Sequence, residues 1–260
     1  MDADRKNITV PIVQLYTAPE YQRERINKKK VSSMVKEWDW DVYTPIKVSV
    51  RHNEPDKYYI VEGQHRVTAA GIKGFIELSA TIVETQNVAE EAALFRAINR
   101  AGSALPLSLH DDWKAALVAE DPEITKINNT LKRYGFNVAS HGDDNCISCV
   151  STLKRLCKKY DATILAFTLD VLRRAFDGAS VSLKSKFLTG LAHFLYSYFF
   201  EEKFDIERFI NKLRKIPAEN ILRDLNRKTT VGNFGLVANE VFVSIYNYKS
   251  QDANRLTLKA

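Results

Sequence analysis

The sequence has no run of about eighteen apolar residues, the length a membrane-spanning helix needs. Its most apolar stretch, 188–200, is too short and is interrupted by Thr189, His193 and Ser197. Residues 1–6 contain two aspartates and no apolar core, so the expectation is a chain without a secretory signal and a cytoplasmic protein. Cysteine is scarce: three residues, an odd number, argue against a disulfide framework. Glycine and proline are sparse, at 10 and 7 in 260 residues, and no low-complexity linker or internal repeat occurs. Disorder and repeat architectures are therefore excluded.

What remains is a globular composition, 45% apolar and 27% charged, with a formal net charge of +6. That charge fits phosphate or nucleic-acid ligands without requiring them.

The pattern changes near residue 105. Before it, strands and helices mix. Val10 to Leu15 reads as an edge strand. Asn27 precedes a helix predicted over 28–40, with apolar residues at Val31, Met34, Val35 and Trp38. Ile46, Val48 and Val50 alternate as a strand, 53–56 as a turn, and Tyr58 to Val61 as the return strand. Gly63 then opens a helix over 64–72 that Gly74 closes. A strand over 78–82 and a helix over 88–100 follow. Beyond residue 105 the reading is helical throughout, with segments over 106–119, 122–134, 148–160, 164–176, 182–200, 205–216, 217–226 and 239–248, and no strand after Val83. The expected fold class is α+β: a mixed sheet with helices over 1–105, then an all-α region over 106–260.

Chemistry concentrates at Glu62-Gly63-Gln64-His65-Arg66. A strand ends, the chain turns at glycine, and a helix starts at once. The first turn of a helix has free N–H groups and a positive dipole end, which together attract anions. Gly63 permits close backbone approach. Gln64, His65 and Arg66 add donors, arginine as a planar fork. Taken alone, the tetrapeptide fits an ordinary solvated helix start equally well.

Its surroundings carry more. Tyr21-Gln22-Arg23 lies upstream, followed by a helix and Thr44-Pro45-Ile46-Lys47-Val48. Ile98-Asn99-Arg100 lies downstream. This order resembles the N-terminal domain of ParB-type partition proteins, over about residues 8–115. The Gly63-Gln64-His65-Arg66 form is similar to the DGQHR-type members of the ParB/sulfiredoxin superfamily, found in many phage and mobile-element proteins. The resemblance implies that Gly63, Gln64, His65 and Arg66 hold the phosphates of a nucleoside triphosphate, CTP or ATP, with Mg2+. It places Arg23 at the same phosphates, and Asn99 and Arg100 where the family contacts phosphate or metal. It implies DNA as a partner and leaves a homodimer through the helical region open. Glu62 and His65 are the candidate catalytic pair, with Glu62 as metal-orienting group or base. The chain departs from sulfiredoxins in carrying Gln64 where they need a cysteine, so no thiolate nucleophile is present. Two other readings stay open: a metal-dependent nuclease or small-molecule kinase using Glu62 and His65, and a non-enzymatic interaction protein with a vestigial cradle.

Outside the head, Lys154, Arg155 and Lys158 on one helix, and Arg223 and Arg227 near a helix-turn-helix-like pair, are candidate nucleic-acid contacts, against the ordinary reading of a solvated face. Cys146, Cys149 and Cys157 are expected on one helix as free thiols, not as a zinc site. His110-Asp111-Asp112 reads as a helix cap. Phe199, Phe200, Phe204 and Phe209 read as core. Lys28-Lys29-Lys30 opens a helix against its dipole, a hint that these lysines face an anion.

Overall fold

A computed structural model describes residues 6–23, 25–100, 106–227 and 233–259. The chain forms two compact units, Met1–Ile124 and Thr125–Ala260. The helix after residue 105 therefore belongs with the head.

The first unit is built on a five-stranded mixed sheet. Its strands are β1 (Asn7–Pro11), β2 (Leu15–Tyr16), β3 (Ile46–Arg51), β4 (Glu54–Glu62) and β5 (Glu77–Ile82), in the order β1-β5-β3-β4-β2. β1 runs antiparallel to β5, β5 parallel to β3, β3 antiparallel to β4, and β4 parallel to β2. The apolar run expected as one edge strand is thus divided between the two opposite edges, with a turn of 3-10 helix at Ile12–Gln14 between them. A flat sheet would place those edges about 19 Å apart, from four gaps of about 4.8 Å. The four residues from Pro11 to Leu15 reach at most about 14 Å. The sheet must therefore curl until its edges approach.

The β3–β4 hairpin turns at His52-Asn53, earlier than the expected 53–56. Arg51 pairs with Glu54, yet Val50 pairs with Tyr58. Pro55, Asp56 and Lys57 are the residues passed over by this shift, which suits a proline that has no N–H to give.

Four helices complete this unit: α1 (Lys28–Lys36), α2 (Gln64–Lys73), α3 (Val88–Arg100) and α4 (Leu109–Val118). The Asn27 side chain caps α1 by accepting from the Lys30 amide at 3.1 Å. α1 ends at Lys36, short of the expected Trp40. Trp38 and Trp40 instead pack with Tyr43 and Phe75 at ring distances of 4.9–5.4 Å. Val67 of α2 joins a core with Val10, Ile46, Val48 and Ala80. Ala92, Phe95 and Ile98 of α3 form a second core with Tyr21, Tyr59 and Val61. Arg96 pins α4 to α3 through Asp112 at 2.9 Å and Asp121 at 3.1 Å.

The second unit contains most of α5 (Pro122–Arg133), then α6 (Val150–Phe176), α7 (Ser185–Tyr198), α8 (Ile206–Leu213), α9 (Ala218–Arg227) and α10 (Phe234–Asn247). α6 is two helices joined at Asp161, whose backbone leaves helical geometry at φ 69°. Its carboxylate caps the second half by accepting from the Thr163 amide at 2.6 Å. The two-helix expectation here was sound. The absence of strands was not: β6 (Asn137–Val138) pairs with β7 (Cys146–Ile147). Cys146 lies in β7, Cys149 precedes α6, and only Cys157 is helical, so the three thiols do not share one helix. Phe187, Phe194, Phe209 and Phe242 are fully buried and stack edge-on or tilted. Phe200, expected in the core, is 85% exposed. It follows the last turn of α7, after the chain has left the core. No helix among the described residues is long and apolar enough to cross a membrane.

Candidate functional site

A cavity of about 430 Å³ opens beside the start of α2. Four parts of the first unit wall it: the 22–23 segment, α1, the β3 and β4 ends, and α3.

Gly63 sets the geometry. It adopts φ 109°, ψ 14°, and ends β4 so abruptly that α2 begins at the next residue. A side chain there would stand 2.5 Å from Ile46 Cγ2, so the site requires glycine for space as well as for conformation. No side chain caps α2. Its first turn therefore presents backbone N–H groups, and the dipole's positive end, to whatever occupies the cavity.

The cavity wall is cationic. Arg23, Lys30, Lys47 and Arg66 line it beside a neutral His65, and Glu62 is the sole lining carboxylate among the described residues. Lys47 stands opposite Glu62 in the β3–β4 register, which brings both to the cavity. Neither Lys30 nor Lys47 has an ion-pair partner among the described residues. Lys28 and Lys29 are exposed, and only Lys30 of the three lysines reaches the cavity.

Arg66 is placed differently from a free phosphate fork. It forms an ion pair with Glu62. It donates to Thr44 Oγ1 at 2.6 Å, to the Pro45 carbonyl at 3.2 Å, and to the Thr44 carbonyl. Its guanidinium thus ties α2 to the approach of β3. Glu62 is correspondingly engaged and not free as a base.

His65 accepts from the Asn27 amide through Nε2 at 3.2 Å. In the neutral ring this leaves Nδ1 as the donor. Burial, with Lys30 and Arg23 nearby, holds its pKa below the ordinary imidazole value. The lowered pKa keeps the ring neutral, and the Asn27 amide occupies the Nε2 lone pair, so the ring faces other partners as a donor through Nδ1.

Arg23 donates to Asn99 Oδ1 at 2.8 Å, and Asn99 Nδ2 donates to the Phe95 carbonyl at 2.7 Å. Burial lowers the Arg23 pKa, and Asp111 opposes that shift. Arg100 does not come to the cavity. It is 63% exposed and pairs with Asp112 at 3.5 Å.

A buried polar hub supports this wall. Glu91 is 1% exposed and accepts from Ser49 Oγ at 2.8 Å, Arg51 Nη2 at 2.8 Å, Arg51 Nε at 3.1 Å and Tyr21 Oη at 3.4 Å. Glu91, Phe95 and Asn99 form one i, i+4, i+8 stripe on α3. Glu91 fixes Tyr21, and thereby Gln22 and Arg23, while Asn99 receives Arg23. Sequence reasoning missed this hub, as well as Lys47. A glutamate inside an otherwise apolar helix stripe was the available signal.

The remaining candidates lie elsewhere. Ser108 caps α4 by accepting from the Asp111 amide at 3.1 Å, while Asp112 serves Arg96. Among the described residues no group of three His, Cys, Asp or Glu side chains could hold a metal ion. Lys154, Arg155 and Lys158 lie on α6 and Arg223 on α9 of the second unit. The Arg227 side chain lies outside the described residues, as does Lys228.

The fold and cavity define a mixed α/β head with a cationic pocket, followed by a helical unit. The chain belongs to DUF6551, a family of unknown function, whose model matches residues 16–259. No curated protein sequence matches it. Two solved structures of the chromosome-partitioning protein ParB from Caulobacter crescentus, both C-terminally truncated, are similar in part. One, complexed with CTP-gamma-S, is 15% identical, with a TM-score of 0.33, over 75% of this chain and 99% of its own. The other, complexed to the centromeric parS site, is 17% identical, with a TM-score of 0.35, over 80% of this chain and 100% of its own. Scores of this size do not amount to a shared global superposition.

Proposed function

We propose that the cavity binds the phosphates of a nucleoside triphosphate, CTP or ATP, and that the chain is a ParB-like, nucleotide-dependent DNA-associated protein. One observation carries the reading: two lysines without ion-pair partners among the described residues, Lys30 and Lys47, flank an uncapped helix start at a glycine that admits no side chain. Such a wall is electrostatically incomplete without an anion. Met34, Ile60 and Phe95 supply an apolar side suited to a base or sugar. The motif order from Tyr21-Gln22-Arg23 through Gly63-Gln64-His65-Arg66 to Asn99 supports the ParB-like class. The form of the glycine motif supports a phage or mobile-element origin. Mg2+ would enter with the phosphates, with Glu62 the one carboxylate among the described residues that lines the cavity. A base-catalysed nuclease or kinase reading is the weaker one, because Glu62 is paired and His65 Nε2 is occupied.

The test is direct binding of labelled ATP, CTP and GTP with Mg2+ to wild type, Lys47→Ala and Lys30→Ala. A charge-assisted hydrogen bond contributes about 1.5–3 kcal/mol, so each variant is expected to bind at least about tenfold more weakly. Absence of saturable binding by the wild type, or full-strength binding by both variants, would overturn the proposal.

A further inference from the structure

The first half of α6 and all of α7 lie side by side. Thr152 Oγ1 meets Ser185 Oγ at 2.7 Å, Arg155 donates to Thr189 Oγ1 at 3.2 Å, and Tyr160 Oη meets His193 Nδ1 at 2.9 Å. Residue numbers rise together along this seam, so the two helices run parallel. Residues 145–160 and 178–200 contain no aspartate or glutamate. They carry Lys154, Arg155, Lys158, Lys159, Lys184 and Lys186, as many charges as the whole chain's excess of +6. The exposed positions on 150–160 are Ser151, Arg155, Lys158 and Lys159, and those on α7 are Lys186 and Tyr196. Tyr196 is 57% exposed and packs on Tyr160 at 4.9 Å, and the Lys159 ammonium lies over the Tyr160 ring at 4.7 Å.

A solvated helix face ordinarily mixes signs, because like charges at i, i+4 repel. Here Arg155 and Lys159 stand at that spacing. The dipole of the first half of α6 favours cations near Tyr160 and so accounts for Lys158 and Lys159. It does not account for Arg155. Lys184 and Lys186 stand at the start of α7, where the dipole opposes positive charge. A single-sign surface assembled against local electrostatics is matched to a polyanion.

In the other basic group, the α8 cations Arg208, Lys212 and Arg214 are committed within the fold. Lys212 donates to the Tyr248 carbonyl at 2.6 Å and to Ser250 Oγ at 2.6 Å. Arg214 donates to the Arg174 carbonyl at 2.9 Å. Arg208 donates to the Asn254 carbonyl at 3.3 Å and lies over the Tyr246 ring.

We infer that the α6–α7 face docks the phosphate backbone of a nucleic acid, with Arg155, Lys158, Lys159 and Lys184 on phosphates and Tyr196 against sugar or base. This rests on the DNA-associated role proposed above and names its surface. Hydroxyls at Ser151 and Tyr196 add neutral donors to phosphate oxygens, as backbone-positioning contacts require.

The test uses the full chain and fluorescence anisotropy with labelled random-sequence duplex and single-stranded DNA across a salt series. The triple variant Arg155→Ser, Lys158→Ser, Lys159→Ser is compared with Lys215→Ser, Arg223→Ser on the α8–α9 side. Each lost phosphate contact lowers the slope of log affinity against log salt by about 0.9 on duplex and about 0.7 on single strands. The triple variant is expected to lose about two to three units of duplex slope, with the α8–α9 variant unchanged. The form of DNA whose slope falls in the triple variant is the one this face contacts. Wild-type binding that persists in the triple variant but fails in the α8–α9 variant would overturn this surface and leave the DNA-associated role standing. No binding by the wild type would overturn both. Binding only to phosphatidylserine vesicles, lost in the triple variant, would reassign the face to membranes and overturn the inference.

Discussion

Replacing Gly63 and Gly71 by alanine tests how the cradle is built, because one substitution in one helix should act in opposite directions. At Gly63 the new Cβ would meet Ile46 Cγ2 at 2.5 Å and Ile46 Cβ at 2.9 Å, with φ at +109°. Left-handed backbone costs an L-residue roughly 1–2 kcal/mol, and overpacking a core contact costs about 1–3 kcal/mol. Together they predict a loss of about 2–5 kcal/mol, a large share of the ~5–15 kcal/mol that holds a domain. At Gly71 nothing lies within 4 Å of the added Cβ. There alanine only restricts the unfolded chain and should stabilise by about 0.5–1 kcal/mol. Urea unfolding followed by tryptophan fluorescence is the right assay, because Trp38, Trp40 and Trp113 all lie in the first unit. The helical unit does not contribute to that signal. With a urea dependence of about 1–3 kcal/mol per molar, Gly63→Ala should lower the midpoint by about 1–2 M. Gly71→Ala should raise it by a few tenths. Adding Ile46→Ala to Gly63→Ala should cost less than the two separate losses combined. A Gly63→Ala midpoint equal to wild type would refute the steric account of the glycine.

Removing the Glu91 carboxylate by Glu91→Gln should cost about 3–5 kcal/mol in the same assay, because the Arg51 cation loses its buried partner and keeps only the exposed Glu20 at 3.5 Å. A loss below about 1 kcal/mol would show the hub to be solvated. His65 titrates below the ordinary imidazole value because burial, Lys30 and Arg23 disfavour its cation. Its neutral form therefore stabilises the fold fully above the unfolded pKa of about 6.5, and that contribution is lost as pH falls through the lowered folded value. A bound phosphate favours the cation, so nucleotide binding should take up a proton and tighten as pH falls below neutral. Calorimetry in buffers of different ionisation heat, comparing wild type with His65→Asn, checks this. Identical proton uptake in the two proteins would remove His65 from the site.

The cradle was legible because its signals are local. A strand period ends at Glu62, glycine follows, and polar donors open a helix within four residues. Asn27 before a helix was legible for the same reason, as was the break between the two halves of α6. Lys47 was not, because its place at the cavity depends on the register of β3 against β4, which no local pattern states. The pairing of Arg66 was hidden likewise: Thr44 and Pro45 lie 21–22 residues upstream and meet it only through the sheet. Asn99 and Arg100 were read together as one motif, but only Asn99 lines the cavity, while Arg100 is drawn to Asp112. The split of 7–16 between two edges escaped detection because each half is too short to show its own period. The pairs in β6 and β7 are two residues long and carry no alternation at all.

The turn at Ile12–Gln14 has a consequence for solubility. An open sheet offers two rows of unpaired backbone groups on which a second chain can pair. By spanning from one edge to the other in so few residues, this turn folds the two rows toward each other, and Pro11 removes a donor from the β1 row. Lengthening the turn would let the sheet flatten and free both rows. The chain would then be poised for strand-to-strand association, with every core residue unchanged.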